Sequence, residues 1–397
     1  MAQKKRADRR GEDREKIAPG RFQMVAQTLE GLENVLADEL KSIGGNNIEL
    51  GKRAVYFSAD MDMMYKANLR LRTALRILKP LKRFIANNED ELYDGVKSID
   101  WAKHFSVERT FVIKATVTGY VHTHSYYATL KTKDAIVDQF REATGVRPDI
   151  DSKEPEIVIH LKIYNNEVIV SLDSSGDPLN KRGYRMKEAE APLNECLAAG
   201  MLLIAGYTGR AEFVDGMCGS GTLCIEAAMI AHKIAPGLMR DRFAFMNWND
   251  YDPELFEVIH TATVERISEN SAGIIGIDLD FDAINIAREA ARLAKVDDMI
   301  DFRQGDFFDE TPPPPPGLLV MNPPYDERIK ADDIEGLYTN IGSKLKKDYA
   351  GYKAWILSGH PDAMNFLGLR TFDTRHLFNG KIPTRYSGYR MYSGSKD

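Results

Sequence analysis

The chain has 397 residues, of which 43% are hydrophobic and 28% charged, a composition expected of a soluble globular protein with two or three domains. No apolar run reaches the roughly 20 residues of a membrane-spanning helix, and the polar N-terminus has no signal-peptide core. The net charge of −6 argues against a general nucleic-acid coat protein, although a local basic face is compatible with it. The cysteines Cys196, Cys218 and Cys224 form no paired framework and no zinc pattern, which favours a cytoplasmic location.

The N-terminal 175 residues divide into three parts. Residues 1–20 are charged and nearly devoid of large apolar side chains, so a disordered basic tail is predicted. A basic arm that contacts RNA phosphates is the alternative interpretation of this tail. Residues 21–85 are predicted to form a small α+β unit, and residues 86–175 a second one. The strands of these two units are expected at 22–28, 54–59, 110–117, 156–164 and 167–173, and the helices at 29–40, 61–71, 90–99 and 127–143.

A short basic segment follows the second unit, with the sequence N-K-R-G-Y-R from Asn180 to Arg185. Arginine can pair with phosphate in a bidentate manner, and tyrosine can stack on a base. RNA binding is therefore predicted for Lys181, Arg182, Tyr184 and Arg185. A solvated charged linker is the alternative.

Strands and helices alternate from residue 211 onward, a pattern that predicts a parallel sheet in an α/β domain over residues 176–397. Ligands of such sheets bind at the carboxyl ends of the strands. An insertion at 236–272 interrupts the pattern. Strands are predicted at 211–215, 273–278, 299–303, 317–321 and 352–358 and near 370–378 and 385–392, and helices at 221–234, 253–269, 282–294 and 333–347.

The first strand of this domain leads into a glycine turn, D-G-M-C-G-S-G-T, which ends at Thr222. Gly219 and Gly221 would let the backbone turn sharply and approach a ligand, and the following helix would direct its free N–H groups at that ligand. Cys224 replaces the third glycine of a dinucleotide fingerprint, which disfavours a nicotinamide cofactor. A tight turn without ligand is the alternative. The predicted ligand-binding residues of the turn are Asp215, Cys218, Gly219, Ser220, Gly221 and Thr222.

Two further acids follow predicted strands. Asp278 could accept the hydroxyl groups of a ribose, although a helix N-cap is the alternative, which also fits Asp280 or Asp282. Asp306 could accept an adenine amino group, and Phe307 could lie on the face of the adenine ring, with Phe308 as the alternative ring.

The most specific motif is N-P-P-Y, from Asn322 to Tyr325. Two prolines fix the backbone and remove two donors. The Pro323 carbonyl and the side-chain carbonyl of Asn322 could then hold both hydrogens of one exocyclic amine, while Tyr325 could stack on the base that carries it. Asn322, Pro323 and Tyr325 are therefore the predicted catalytic residues.

The glycine turn resembles motif I of class I S-adenosylmethionine (SAM) methyltransferases. The N-P-P-Y motif resembles motif IV of the methyltransferases that act on N6 of adenine or N2 of guanine. The order of elements in 86–175 and the junction after it resemble a THUMP domain joined to a methyltransferase. From about residue 22 onward, the chain thus resembles bacterial 23S ribosomal RNA guanine-N2-methyltransferases with a THUMP domain.

The resemblance implies a Rossmann-like, seven-stranded, mostly parallel sheet over 176–397, preceded by a ferredoxin-like unit and a THUMP unit. It also implies SAM as the methyl donor, 23S rRNA as the partner, no metal and no membrane. One methyltransferase unit is expected in this sequence, whereas some relatives carry a second. Asp326 stands where many relatives carry glycine.

Two other functions remain open at this point. The first is a tRNA guanine-N2 or nucleic-acid adenine-N6 methyltransferase, because the amine-holding motif serves both kinds of amine. The second is a non-catalytic RNA-binding or ribosome-assembly factor with a vestigial pocket.

Overall fold

A computed structural model of the chain describes residues 20–119, 125–185, 193–324 and 331–392, without the side chains of 331–333. The predicted basic tail up to residue 19 and the predicted catalytic Tyr325 lie outside the described residues. Within them, the strands form two seven-stranded sheets.

The first sheet contains the strands of the N-terminal half in the order β2-β3-β1-β4-β7-β6-β5. Its elements are β1 (Phe22–Thr28), α1 (Glu33–Ser42), β2 (Asn46–Gly51), β3 (Ala54–Ala59), α2 (Met61–Arg70), β4 (Ala74–Ile85), α3 (Glu89–Lys97), β5 (Phe111–Thr118), α4 (Ser125–Thr144), β6 (Ile157–Tyr164) and β7 (Glu167–Asp173).

Strand β4 joins the two predicted N-terminal units, because it pairs with β1 on one side and with β7 on the other. The sequence analysis did not predict this strand. The second half of β4 contains a lysine, an arginine and Pro80, and these residues obscure the alternation of apolar and polar side chains that is typical of a strand. The ladder to β7 shifts its register between Pro80 and Lys82, so the proline sits at an irregularity. The two units therefore share one continuous sheet.

The second sheet contains the strands of the C-terminal half in the order β10-β9-β8-β11-β12-β14-β13. Its elements are α5 (Glu195–Ile204), β8 (Glu212–Asp215), α6 (Thr222–Ala231), α7 (Pro253–Val264), β9 (Ile274–Asp278), α8 (Phe281–Leu293), β10 (Asp301–Gln304), β11 (Gly317–Met321), α9 (Ala331–Asp348), β12 (Lys353–Ser358), β13 (Thr371–Asn379) and β14 (Ile382–Arg390).

Strands β8 to β12 run parallel, and in this sheet only the pairs β12–β14 and β13–β14 are antiparallel, which confirms the predicted mostly parallel, seven-stranded sheet. All five residues of β11 are buried, as expected of a central strand covered by helices on both faces. The strand order reverses between β8 and β11, so the carboxyl ends of these strands form a crevice of the kind that binds ligands in α/β sheets.

The insertion at 236–272 packs against the N-terminal half rather than extending into solvent. Phe243, Phe245 and Trp248 belong to the buried core of the first sheet. The ring of Phe245 lies 4.7 Å from that of Tyr65, and α7 packs against α2. A segment that interrupts the second sheet in sequence therefore completes the core of the first.

The junction between the halves is built on a buried ion pair. Arg182 Nε lies 3.3 Å from Glu226 Oε1, and both side chains are at most 1% exposed. Arg182 also donates hydrogen bonds to the carbonyls of Leu179 and Arg72, and the Tyr184 hydroxyl lies 3.3 Å from the same Glu226 oxygen. The prediction that Arg182 and Tyr184 contact RNA is therefore wrong, because both side chains are buried and bind groups inside the protein.

The other two cations of this segment differ from each other. Arg185 is half-buried, donates to the Leu193 carbonyl and the Thr222 hydroxyl, and pairs with Glu195 at 3.3 Å. Lys181 keeps 67% of its side chain exposed. RNA contact stays a prediction for Lys181 and Arg185.

Arg182→Met should lower the free energy of unfolding by about 3–5 kcal/mol, because it leaves the Glu226 carboxylate buried without its nearest counter-charge. Urea denaturation measures this difference. The double variant Arg182→Met/Glu226→Gln removes both charges and should recover part of the loss. A single variant within about 1 kcal/mol of the wild type would show that the pair does not stabilise the junction.

Candidate active site

A cavity of about 660 Å³ opens at the carboxyl edge of the second sheet. Most of its wall consists of residues at or after the ends of β8, β9, β10 and β11, and the rest comes from the turn between β13 and β14, from Leu193 and from Leu337 of α9. Parallel strands bring their carboxyl ends to one edge, so residues far apart in sequence meet there. The predicted site residues on this wall are Asp215, Cys218, Gly219, Ser220, Thr222, Asp278, Asp306, Phe307, Asn322 and Pro323.

The two glycines of the turn after β8 serve different purposes. Gly219 adopts a φ of +50°, and a Cβ added there would meet no atom within 4 Å. Its backbone N–H donates to Asp278 Oδ2 at 2.7 Å. Gly221, at a φ of +77°, precedes α6, and an added Cβ would lie 2.8 Å from Ala287 Cβ. Gly221 therefore permits close packing of the turn against α8, and the prediction that it approaches a ligand is corrected.

Asp278 is held by backbone donors on both carboxylate oxygens. Oδ2 accepts from Gly219, and Oδ1 accepts from the N–H of Asp280 at 3.0 Å. Each oxygen retains further acceptor capacity, so the oriented carboxylate can still bind hydroxyl groups from the cavity. The helix-cap role considered for Asp278 belongs to Asp280, whose side chain accepts from the Asp282 N–H at the start of α8.

A lysine of α9 holds the loop after β10 through hydrogen bonds to its backbone. Lys344 Nζ donates to the carbonyls of Phe308 and Glu310, at 2.8 and 2.7 Å, and pairs with Asp348 at 2.7 Å. All three donors of this nearly buried ammonium are thus used. Asp306 Oδ1 accepts from the Phe308 N–H, which shapes the same loop from the cavity side.

The two phenylalanines of this loop differ in exposure. Phe307 is only 2% exposed, and its ring lies against Gly216, where an added Cβ would approach Phe307 Cδ2 to within 2.3 Å. Phe308 is half-buried on the same wall. Phe308 is therefore the more exposed of the two phenylalanines on this wall.

Asn322 carries an acceptor without a partner. Its Oδ1 atom is fully buried and, among the described residues, no group donates a hydrogen bond to it. Leaving such a buried acceptor unsatisfied costs roughly 1–3 kcal/mol, and a donor on a ligand is one group that would satisfy it. Pro323 and Pro324 follow on the same wall. The arrangement can hold the hydrogens of an amine that enters the cavity.

Sequence analysis missed several residues of the wall. Leu279 follows Asp278 directly and is 67% exposed, an exposure that is unusual for leucine. Asn379 and Ile382 lie on the turn between β13 and β14, and the fold alone brings them to the cavity. The D-L-D sequence at 278–280 is the single local signal that could have identified Leu279.

Asp215 lies on the cavity wall with only 1% of its surface exposed. Burial and, to a lesser extent, the charge of Asp278 raise the pKa of Asp215 to about 8. Burial also raises the pKa of the Cys218 and Cys224 thiols, which makes them poor nucleophiles.

Among the described residues, no group of three or more His, Cys, Asp and Glu side chains could hold a metal ion. The part of the chain that the structure describes also contains no helix with the length and apolar character needed to cross a bilayer.

Asp215→Asn should stabilise the protein more at pH 8 than at pH 5. The folded-state pKa of Asp215 lies above the ordinary value of 3.8, so the folded state retains a proton that the unfolded chain loses, and stability falls as the pH rises towards 8. Asparagine removes this dependence while keeping an acceptor for the Met217 N–H. Urea denaturation at both pH values measures the effect. Asp282→Asn, on the exposed rim, is the control, and an equal gain for Asp215→Asn at both pH values would contradict the expectation.

Three family models match the chain. The model described as "RMKL-like, methyltransferase domain" matches residues 182–387, the THUMP domain matches 86–173, and the RlmL ferredoxin-like domain matches 23–78. These matches confirm the predicted THUMP and ferredoxin-like units ahead of a methyltransferase fold.

Curated proteins similar to this chain have names that agree with the family models. Ribosomal RNA large subunit methyltransferase K/L of Shewanella frigidimarina is 35% identical over 380 residues, which are 94% of this chain and 53% of that protein. This chain thus spans about half the length of the curated relatives it matches.

Two solved structures resemble nearly the whole chain. The crystal structure of SMU.472, a complex with SAH, covers 95% of this chain and 100% of its own, with 29% identity and a TM-score of 0.88. A protein of Clostridium difficile 630 described as a possible methylase has the same coverage, 30% identity and a TM-score of 0.87. The match over 182–387 covers more than half of the sequence, and the chain therefore belongs to the RMKL-like methyltransferase family.

Proposed function

We propose that this chain transfers a methyl group from SAM to the exocyclic N2 amine of a guanine in 23S rRNA. The observation that carries the proposal is the buried, partnerless Asn322 Oδ1 on the wall that also contains the Gly219 turn and Asp278. The relatives named as large-subunit rRNA methyltransferases and the THUMP match support rRNA as the substrate.

The described residues fit SAM. A side chain at Gly219 would extend into open space, which leaves room for a ligand against the backbone. Asp278 would hold the ribose hydroxyls, and Asp306 would lie at the adenine amino group. When bound, SAM supplies a methyl group activated by a positively charged sulfur atom.

The charge of the cavity wall also fits a cationic donor. Asp278, Asp280, Asp282 and Asp306 all line the cavity. A concave surface lined with one sign of charge attracts ligands of the opposite sign. The same wall opposes the pyrophosphate of a dinucleotide, in agreement with the missing third glycine of the turn.

The chain's contribution to the reaction is positioning and polarisation. Asn322 Oδ1 and the Pro323 carbonyl would accept the two hydrogens of the guanine amine and thereby orient its nitrogen towards the Gly219 turn. The methyl group replaces one amine hydrogen, which leaves as a proton to water. Tyr325 would stack on the guanine after the base leaves its helical stack, and this role stays a prediction for a residue outside the described part.

A second candidate is methylation of adenine N6, because the Asn322–Pro323 acceptor pair fits either exocyclic amine. A tRNA substrate is compatible with the THUMP match as well. A non-catalytic assembly factor fits less well, because a vestigial pocket would not need to keep a buried acceptor unsatisfied.

The substrate is tested with the purified protein, SAM and RNA from a strain that lacks the gene. Deproteinised 23S rRNA should acquire N2-methylguanosine, detected by mass spectrometry of nucleosides, whereas tRNA should not. The same nucleoside should be depleted in rRNA from the deletion strain. Formation of N6-methyladenosine, or methylation of tRNA alone, would overturn the assignment of the substrate.

Asn322→Ala should reduce the turnover number by roughly 100- to 1,000-fold, the effect of losing one positioned hydrogen-bonding group at a reacting centre. Affinity for S-adenosylhomocysteine, measured by calorimetry, should change by less than about threefold, because the substitution leaves the Gly219 turn and Asp278 in place. Asn322→Asp keeps an acceptor oxygen and should retain more activity than the alanine variant. Near-normal turnover of Asn322→Ala would refute the amine-holding role.

A further inference from the structure

Two helices cover one face of the neighbouring strands β4, β7, β6 and β5 in the first sheet. Ile159 and Ile163 of β6 belong to the buried core together with Phe140 of α4. The Phe84 ring of β4 lies against Gly95 of α3, where an added Cβ would overlap it. Because successive side chains of a strand point to opposite faces, the residues between these positions form a second face, on the side away from α3 and α4.

We call this second face the open face. The side chains that define it are Lys114 and Thr116 of β5, Lys162 and Tyr164 of β6, and Arg83 and Ile85 of β4, and all six are exposed. The strand register places them side by side, because Thr116 is opposite Lys162, and both Lys162 and Arg83 are opposite Ile169 of β7. Since neighbouring strands lie about 4.8 Å apart, the open face is a continuous exposed surface with a width of about 14 Å.

Cations predominate on the open face. Lys114 and Lys162 form no ion pair within 4 Å and no hydrogen bond with any residue that the structure describes. Lys114 is opposite His160, two residues before Lys162, so the Cα atoms of the two lysines are about 8 Å apart. Glu167 of β7 is paired with Arg83. In a chain with a net charge of −6, this surface therefore offers two unpaired positive charges, which attract an anionic partner.

Tyr164 adds an aromatic ring to the open face. It is 59% exposed, and no other ring of the described residues contacts it. Unpaired nucleic-acid strands bind to surfaces that combine cations with exposed aromatic rings, because each base has a face that can stack. The faces of β-sheets bind RNA in this way in other proteins. The centre of a protein–protein interface is depleted of lysine, so the two lysines favour RNA over a protein partner.

We propose that the open face binds an unpaired strand of the substrate RNA, with phosphate groups at Lys114 and Lys162 and a base on the Tyr164 ring. The wall of the cavity carries aspartates and repels phosphates, so affinity for the RNA has to come from another surface. The inference rests on the proposed function in taking rRNA as the partner, and it deepens that function by naming the surface that holds the RNA.

The test measures the affinity for deproteinised 23S rRNA from a strain that lacks the gene, by filter binding without SAM between about 50 and 200 mM salt. Lys114→Ala/Lys162→Ala should weaken this affinity roughly tenfold at physiological salt. It should also reduce the slope of log affinity against log salt by about 1.4, because each lost phosphate contact removes about 0.7. An unpaired RNA oligonucleotide should compete with the rRNA more strongly than a duplex of the same length.

Further variants separate stacking from charge. Tyr164→Ala should weaken the affinity for rRNA by roughly 5- to 100-fold, the value of one stacked base, without changing the salt dependence. Tyr164→Phe keeps the ring and should bind like the wild type. The control Lys103→Ala/Lys295→Ala removes the same charge at two exposed lysines outside the open face and should keep the slope. The melting temperature and S-adenosylhomocysteine affinity of each variant verify that the fold and the donor site persist.

The outcomes separate the inference from the proposed function. If the lysine variant binds rRNA as tightly as the wild type, if the control variant loses as much affinity, or if the duplex competes better, the inference is refuted. If rRNA binding depends on the open face but the wild type forms no N2-methylguanosine, the proposed reaction is refuted and the inference stands. If this nucleoside forms while the lysine and tyrosine variants bind rRNA normally, only the role of the open face is refuted.

Discussion

The hydrogen bond from Gly219 N–H to Asp278 Oδ2, at 2.7 Å, is the contact on which the cavity depends. It joins the ends of two neighbouring parallel strands. Asp215, the last residue of β8, lies opposite Gly276, and β9 continues to Asp278, which brings this carboxylate beside the glycine turn. Gly219 reaches the required left-handed conformation without a Cβ, and Asp280 supplies the second backbone donor to the same carboxylate. The glycine turn and the acid are therefore one unit: the carboxylate orders the turn, and the turn orients the carboxylate towards the cavity.

The junction between the halves imposes a second constraint. Arg182 joins Glu226 of α6 to the Arg72 carbonyl of the N-terminal half, while the insertion places Phe245 in the core of the first sheet. Helix α6 starts directly after the glycine turn and contains Glu226. The same helix therefore connects the buried ion pair with the turn proposed to bind SAM. Contacts of this kind are buried and extensive, unlike the mobile interfaces usual between domains of one chain. If the THUMP domain binds the RNA as proposed, these contacts would hold that RNA at a fixed distance and orientation from the cavity.

Sequence patterns predicted the parts of the molecule whose signals are local. The alternation of strands and helices after residue 211 predicted the parallel sheet, and the residues at the ends of the predicted strands predicted part of the cavity wall. The errors have a common origin in tertiary structure. Arg182 and Tyr184 look like surface residues in sequence, and only the burial of Glu226 accounts for their place in the interior. Asn379 reaches the cavity through the pairing of β14 with β12, a long-range contact without a local pattern.

The acidic wall has a consequence for the way in which RNA must approach. Asp278, Asp280, Asp282 and Asp306 surround the position proposed for a cationic donor, and the whole chain carries a net charge of −6. A phosphate backbone would be repelled from such a wall, so an uncharged base would enter more readily than its phosphates. Under the proposed function, this repulsion would favour extrusion of the target base, which also exposes an amine that a helix conceals. The carboxylates that suit the methyl donor would thereby also ensure that the nucleotide presents its base alone.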